Sequence, residues 1–256
     1  MNNILLFLFL GISSVAMSSP PRDYYEIKVY RVESHAQEEK VEAFLKLAFL
    51  PAVHRAGIAK VGVFKPIQRD TALFGKRIYV LLVYSSIGRY LELNDVLQKD
   101  NQFQTAGRDF LKPPFDSPPY LRMESILLRA FERSPALHAP VLSGPLNERI
   151  YELRSYESPT EALFFNKLKM FNQGDEIGLF DRLGFNAVFY GEVLAGSRMP
   201  NLMYMTCFST MASRDDHWKT FAGDPQWKQL SSMSEYQHNV SKAEIILLHP
   251  TDYSDL

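Results

Sequence analysis

Hydrophobic and polar residues alternate along Tyr24–Arg31. Tyr25, Ile27 and Val29 fall on one side, Glu26, Lys28 and Tyr30 on the other. A period of two predicts a half-buried strand. Over residues 37–55 the spacing becomes helical, with Val41, Phe44, Leu45, Ala48 and Val53 on one face. Pro51 should distort that helix, and Gly57 suits its C-terminus. Residues 61–67 and 77–85 read as two strands around a turn-rich segment. Residues 88–106 read as a second helix. A proline-rich loop at 112–119 then leads into a last strand at 120–131.

The same order returns further along the chain. Tyr25-Glu26-Ile27-Lys28-Val29-Tyr30 recurs as Tyr151-Glu152-Leu153-Arg154-Ser155-Tyr156. Asp100-Asn101-Gln102-Phe103 recurs as Asp224-Pro225-Gln226-Trp227, and Glu124-Ser125-Ile126-Leu127-Leu128 as Glu244-Ile245-Ile246-Leu247-Leu248. The shifts are 126, 124 and 120. Three matches in one order, with shrinking shifts, indicate a duplication with small loop deletions. The second copy reads as a strand at 149–156, a helix near 160–182, strands at 185–193 and 202–208, a helix near 212–234 and a strand at 243–249. Between the copies, Ser134-Pro135, Ala139-Pro140 and Gly144-Pro145 mark a linker. The expected organisation is a first unit at 22–133, a linker at 134–147 and a second unit at 148–250.

Strand-helix-strand-strand-helix-strand is the ferredoxin-like order, of α+β class. Helices cover one side of such a sheet. Residues 79–84 are apolar on both sides, so the other side must also be covered. Two tandem units can bring those sides together and form a dimeric α/β-barrel arrangement within one chain.

At the N-terminus, residues 4–10 are almost unbroken apolar, and a weaker run continues to about residue 15. That is short of the roughly 20 residues a membrane span needs. Ser14-Val15-Ala16 and Ala16-Met17-Ser18 offer small residues for cleavage, and Pro20-Pro21 follows. Residues 1–19 therefore read as a signal peptide, although the first three residues carry no Lys or Arg. The expected location is secreted or periplasmic, with no membrane span after cleavage.

Composition narrows the chemistry. A formal net charge of −1 gives no basic footprint for nucleic acid. The one cysteine, Cys207, lies in the apolar stretch 203–208 and reads as a small core residue. No Cys or His spacing suits a metal, and no glycine-rich phosphate loop, Gly-x-Gly-x-x-Gly or Gly-x-Ser-x-Gly is present. No cofactor is assigned. Trp227 reads as core packing, and Arg214-Asp215-Asp216-His217 as a solvated helix start.

The candidate site is the polar side of the first strands. Glu26, Lys28, Tyr30, Glu152, Arg154 and Tyr156 are expected to face away from the helices, into the space between the sheets, with Glu124 and Glu244 added by the last strands. Such a lining could hold a polar small molecule. The reading favoured here is a structural network in which Glu26 pairs with Lys28 or Arg154. His54, near a helix C-terminus, and His217 complete the candidates. The partners considered are a small molecule in the barrel and a second copy of the chain.

The second copy resembles the NIPSNAP domain. The resemblance rests on Ile150-Tyr151-Glu152-Leu153-Arg154-Ser155-Tyr156, Gly184-Phe185-Asn186, Ser213-Arg214-Asp215-Asp216-His217-Trp218 and Asp224-Pro225-Gln226-Trp227, within residues 148–250. The first copy matches more weakly. The resemblance implies the dimeric α/β-barrel superfamily, whose members include haem-degrading and cofactor-independent monooxygenases. It supplies no catalytic residues, because none are securely assigned in the NIPSNAP family. By analogy with haem-handling relatives, His54 and His217 become the haem candidates. Two functions follow: a non-catalytic ligand-binding or interaction module, or a cofactor-independent monooxygenase or haem-handling enzyme. An oxygenase needs an apolar, solvent-reachable pocket with titratable groups, whereas a scaffold fills its barrel with side chains.

Overall fold

The structure is a computed structural model that describes residues 20–70 and 72–256. The signal-peptide expectation for residues 1–19 lies outside them. The first unit runs β1 (Tyr24–Arg31), α1 (His35–Phe44), a π-helical turn (Leu45–Phe49), α2 (Leu50–Arg55), β2 (Val61–Pro66), β3 (Arg77–Tyr84), α3 (Ile87–Lys99), α4 (Asn101–Ala106), α5 (Arg108–Leu111) and β4 (Arg122–Ala130). The second runs β5 (Ile150–Glu157), α6 (Glu161–Asn172), α7 (Glu176–Arg182), β6 (Asn186–Ala195), β7 (Asn201–Phe208), α8 (Met211–Gly223), α9 (Pro225–Ser232) and β8 (Lys242–Pro250).

Local chemistry sets these boundaries. The helix after the first strand and the helix after the third strand of each unit start on a hydroxyl. Ser34 accepts from the Gln37 amide at 3.2 Å, Ser86 from Arg89 at 3.3 Å, Thr160 from Leu163 at 3.3 Å and Thr210 from Ser213 at 3.1 Å. Pro51 has no amide hydrogen to return to the preceding turn, and the π-helical turn before it absorbs the break. Gly57, at φ +88°, ends α2 in the left-handed region. The long helices expected at 88–106 and 212–234 are each interrupted. Asp100 accepts from the Phe103 amide at 3.0 Å and starts α4; Asp224 accepts from the Gln226 amide at 2.8 Å and, with Pro225 in the first turn, starts α9. The repeated Asp-x-Gln motif is thus a helix cap. Trp218 and Trp227 consequently lie on two helices rather than one.

All eight strands form one closed antiparallel barrel in the order β1-β3-β2-β8-β5-β7-β6-β4. The units join at two seams. Phe64 to Pro66 of β2 pair with Leu248 to Pro250 of β8, and Leu127 to Ala130 of β4 pair with Gly191 to Ala195 of β6. Both ladders are short, and the segment that follows each last strand covers the remaining edge. The Thr251 and Asp255 amides donate to Val63 and Val61 at 2.9 and 3.0 Å. The Phe131 and His138 amides donate to Tyr190 and Val188 at 3.0 and 2.9 Å. The inter-unit segment is therefore part of the wall and leaves no bare edge there.

The barrel interior is apolar. Tyr25, Ile27 and Val29 of β1 point inward, together with Tyr151 and Leu153 of β5, and join a contiguous buried cluster that includes Phe64, Leu81, Ile126, Phe189, Met205 and Leu248. Aromatic pairs cross between the units: Tyr25 lies 5.0 Å from Phe189, and Tyr151 lies 4.7 Å from Phe64. Cys207 is fully buried in the same cluster, and burial pushes its thiol up to about 12.

This arrangement corrects the expected orientation of the polar side. Glu26, Lys28, Tyr30, Glu152, Arg154 and Tyr156 face the helical layer, not the space between the sheets. Tyr30 packs within the helix-side core with Tyr84 and Phe44, and Tyr156 against the one that holds Tyr204 and Phe180. Alternation fixes which residues share a face but does not say which face turns inward. In a closed barrel the interior, shut off from bulk solvent, takes the apolar set, and the helix side, open at its margins, takes the charges.

Candidate functional site

The densest polar cluster lies between β5 and α8. Glu152 is fully buried. One carboxylate oxygen accepts from Arg154 Nε at 2.6 Å; the other accepts from Arg214 Nε at 2.6 Å and Trp218 Nε1 at 2.9 Å. Arg214 and Trp218 are four apart on α8, so one face of the helix delivers both. The Arg154 guanidinium lies 3.6 Å from the Trp218 ring centre and donates to the Tyr156 hydroxyl at 2.9 Å. The Tyr156 and Tyr204 hydroxyls are 2.9 Å apart. Burial works against the Arg154 charge, but the neighbouring Tyr204, Tyr156 and Glu152 outweigh it and hold the guanidinium above its ordinary range. Burial first, then Tyr156, raises the Tyr204 phenol well above its ordinary value. Beyond these, Lys167 and Glu176 form a second buried pair at 2.8 Å.

The first unit carries a smaller version. Glu26 accepts from Tyr84 Oη at 2.7 Å, Ser125 Oγ at 2.6 Å and Lys28 Nζ at 2.8 Å. The expected Glu26–Lys28 pair forms; Glu26 and Arg154 do not pair. Tyr30 is buried against Tyr120 and Phe110 at 5.4 and 6.2 Å, and burial, then Tyr120 and Glu26, raises its phenol pKa. Both carboxylates are already engaged: Glu152 braces α8 to β5, and Glu26 ties β1 to β3 and β4. Arg214, expected to be solvated, reaches in from α8 to Glu152 of β5.

Glu124 and Glu244 are separated from those residues. Both lie on the inward side of their strands, at one mouth of the barrel. Glu124 binds Arg31 at 3.1 Å and Ser197; Glu244 binds Arg198, which also lies 3.7 Å from Glu157. Ion pairs thus close this mouth. The histidines are committed as well. His54 Nε2 lies 2.8 Å from Asp255 Oδ2, whose carboxylate also accepts from the Val61 amide at 2.7 Å. His217 Nδ1 lies 2.6 Å from the Ser213 carbonyl, and its ring packs between Phe185 and Phe208. His54 lies on the first unit and His217 on the second, each held by its own partner. Among the described residues no cluster of three or more His, Cys, Asp or Glu could hold a metal ion, and no helix is long and apolar enough to cross a membrane.

Open space lies outside the barrel. A groove of about 560 Å³ on the first unit runs between α1, the π-helical turn, α5 and the loop at 112–119. Its floor is the Phe44–Phe110 stack, with ring centres 3.8 Å apart and planes within 4°. Leu47, exposed to 66%, forms one rim, and Lys40 and Lys112 line the edge. A Cβ at Gly107 would crowd the groove floor, lying 3.1 Å from the Phe44 ring and 3.0 Å from the Phe103 carbonyl. Helical periodicity found Phe44 as core. Nothing in the sequence marked its second face as a groove, since the loop that walls it is distant in the chain.

An eight-stranded antiparallel barrel built from two ferredoxin-like units, with helices outside, is the dimeric α/β-barrel class. Residues 151–255, most of the second unit, match the NIPSNAP family model. Among solved structures, a candidate monooxygenase from Lactobacillus acidophilus NCFM superposes with a TM-score of 0.58 at 11% identity, covering 90% of this chain and 94% of its own. An anthrone oxidase-like protein gives 0.54 at 9% identity, covering 92% and 94%. A NIPSNAP family protein from Agrobacterium tumefaciens is 21% identical over 45% of this chain and 99% of its own, with a TM-score of 0.38. At these identities the likeness is one of fold. No curated protein matches the chain.

Proposed function

We propose that the protein is a non-catalytic ligand-binding module in which the barrel is scaffold and the groove on the first unit holds an apolar or amphipathic small molecule. The observation that carries this is the contrast between the two spaces. The interior between the sheets is filled by buried side chains, with ion pairs across one mouth. The groove instead exposes Leu47 and leads to an aromatic stack, with ammonium groups at its edge. An apolar body would gain about 25 cal/mol for each Å² buried there, and an anionic head would meet Lys40 or Lys112.

Native mass spectrometry of protein purified from its own host tests this. A bound organic molecule is expected in the parent and is expected to be lost in Leu47→Glu, with the melting temperature unchanged because Leu47 is exposed. Protein that carries no molecule and fails to bind 1-anilinonaphthalene-8-sulfonate, or a bound molecule that is consumed with oxygen, would overturn the proposal.

A further inference from the structure

The proline-rich loop that walls the groove carries an aromatic side chain with nothing to pack on. Phe115 is fully exposed. It occupies a corner of a tight turn closed by the Ser117 amide, which donates to the Pro114 carbonyl at 3.1 Å. Pro113 and Pro114 precede it, and Pro118 and Pro119 follow the turn. The loop is also tied to α1, where Gln37 Nε2 donates to the Pro118 carbonyl at 3.1 Å and Lys40 Nζ to Ser117 Oγ at 3.3 Å. A braced turn thus holds the ring out in solvent, so a partner that buried it would have little else to order.

We infer that the protein self-associates through this face, each copy placing Phe115 in the groove of the other. Knob and hole share one patch. Pro114 and Ser117, on either side of Phe115 in the turn, line the groove, and Leu47 on its rim is 66% exposed. A patch that carries both halves of a contact can pair with itself about a two-fold axis and close as a dimer; a knob and a hole on separate faces would build an open filament. The Phe44–Phe110 stack gives the incoming ring an aromatic floor. The charges are self-complementary too. Lys40, Asp109 and Lys112 line the groove and Asp116 adjoins Phe115 in the turn, all four exposed. Among the described residues none of them is in an ion pair. Two cations and two anions on one patch offer a like patch partners of both signs. An anionic lipid surface would instead be opposed by Asp109 and Asp116. The contact goes beyond the ligand reading and does not rest on it. A small molecule in the groove and the other copy's Phe115 exclude each other, so loading is expected to separate the copies.

Sedimentation velocity of the full chain, from low to high micromolar concentration, tests this. A reversible monomer–dimer equilibrium is expected. Phe115→Asp is expected to weaken it about a hundredfold, since each copy loses one buried ring, with the melting temperature unchanged because the side chain is exposed. A photo-crosslinking p-benzoylphenylalanine at position 115, in a mixture of unlabelled and isotope-labelled chains, is expected to attach to residues 43–47 or 106–110 of the other copy. Saturating 1-anilinonaphthalene-8-sulfonate is expected to shift the dimer toward monomer. A chain that stays monomeric throughout, a dimer that Phe115→Asp leaves intact, cross-links confined to other surfaces, or dye that binds without shifting the equilibrium would overturn the inference. So would a monomer that binds phosphatidylcholine–phosphatidylglycerol vesicles through Phe115, which would assign the loop to a lipid surface. The two readings of the groove fail separately. Dye binding by a chain that never dimerises leaves the ligand reading alone, and a Phe115-dependent dimer that never takes up dye leaves the contact alone.

Discussion

Glu152 shows what one buried carboxylate can organise. It holds two guanidinium groups and an indole, and through them fixes α8 to β5. Glu152→Ala would leave Arg154 and Arg214 without their common partner. Breaking a buried pair costs about 3 to 5 kcal/mol, and because both arginines keep some solvent contact the lower figure, about 3 kcal/mol, is expected in urea unfolding. Cys207 gives a pH prediction. Its thiol ordinarily titrates near 9.0, and burial moves it to about 12 in the folded chain. The folded state therefore keeps a proton that the unfolded state releases. The contribution is complete below pH 9 and is lost as pH rises toward 12. Between pH 9 and 10, stability is expected to fall less steeply in Cys207→Ala than in the parent, as pH-stepped denaturant melts would show.

At the level of elements, hydroxyl caps and aspartate breaks place the helices. Thr210 starts α8, the helix that carries Arg214 and Trp218. Thr210→Ala is expected to cost about 1 kcal/mol, and Thr210→Ser, which retains the acceptor, much less; denaturant midpoints distinguish the two. These boundaries were partly visible in the sequence. Pro51 and Gly57 announced a distortion and an end, and the duplicated Asp-x-Gln stretch was evident as a repeat. Its role as a helix break was missed, because the helical spacing of apolar residues continues across it. The Arg214–Trp218 pair also had a signal, a spacing of four on one helix face, but only contact with β5 gives that spacing a meaning.

At the scale of the molecule, neither unit completes its own barrel. Tyr25 packs on Phe189 and Tyr151 on Phe64, each across a seam. Unfolding is expected to be one cooperative transition, and Phe64→Ala or Phe189→Ala is expected to cost about 3 to 5 kcal/mol, measured by calorimetry with both halves melting together. A chain ending at Arg133 would expose the inner faces of β1 to β4 and is expected to aggregate. A cooperatively folding monomer of residues 22–133 would contradict the shared core.

The sequence by itself determined the duplication, the strand-helix-strand-strand-helix-strand order of each unit, and the sets of residues that share a strand face. These follow from local periodicity, which a single strand or helix expresses without its neighbours. It also marked Glu26, Lys28, Glu152 and Arg154 as a linked polar set, and the Glu26–Lys28 pair forms within one strand. Only the tertiary structure decided which face of each strand turned inward. Two sheets that close on each other take both inner faces out of bulk solvent, so the tyrosine, isoleucine and valine side went in and the charges went to the helices. It separated Glu124 and Glu244 from the other carboxylates, since those strands meet the mouth with the opposite parity. It also made the groove on the first unit, because that groove is walled by segments far apart in the chain whose approach no local pattern encodes.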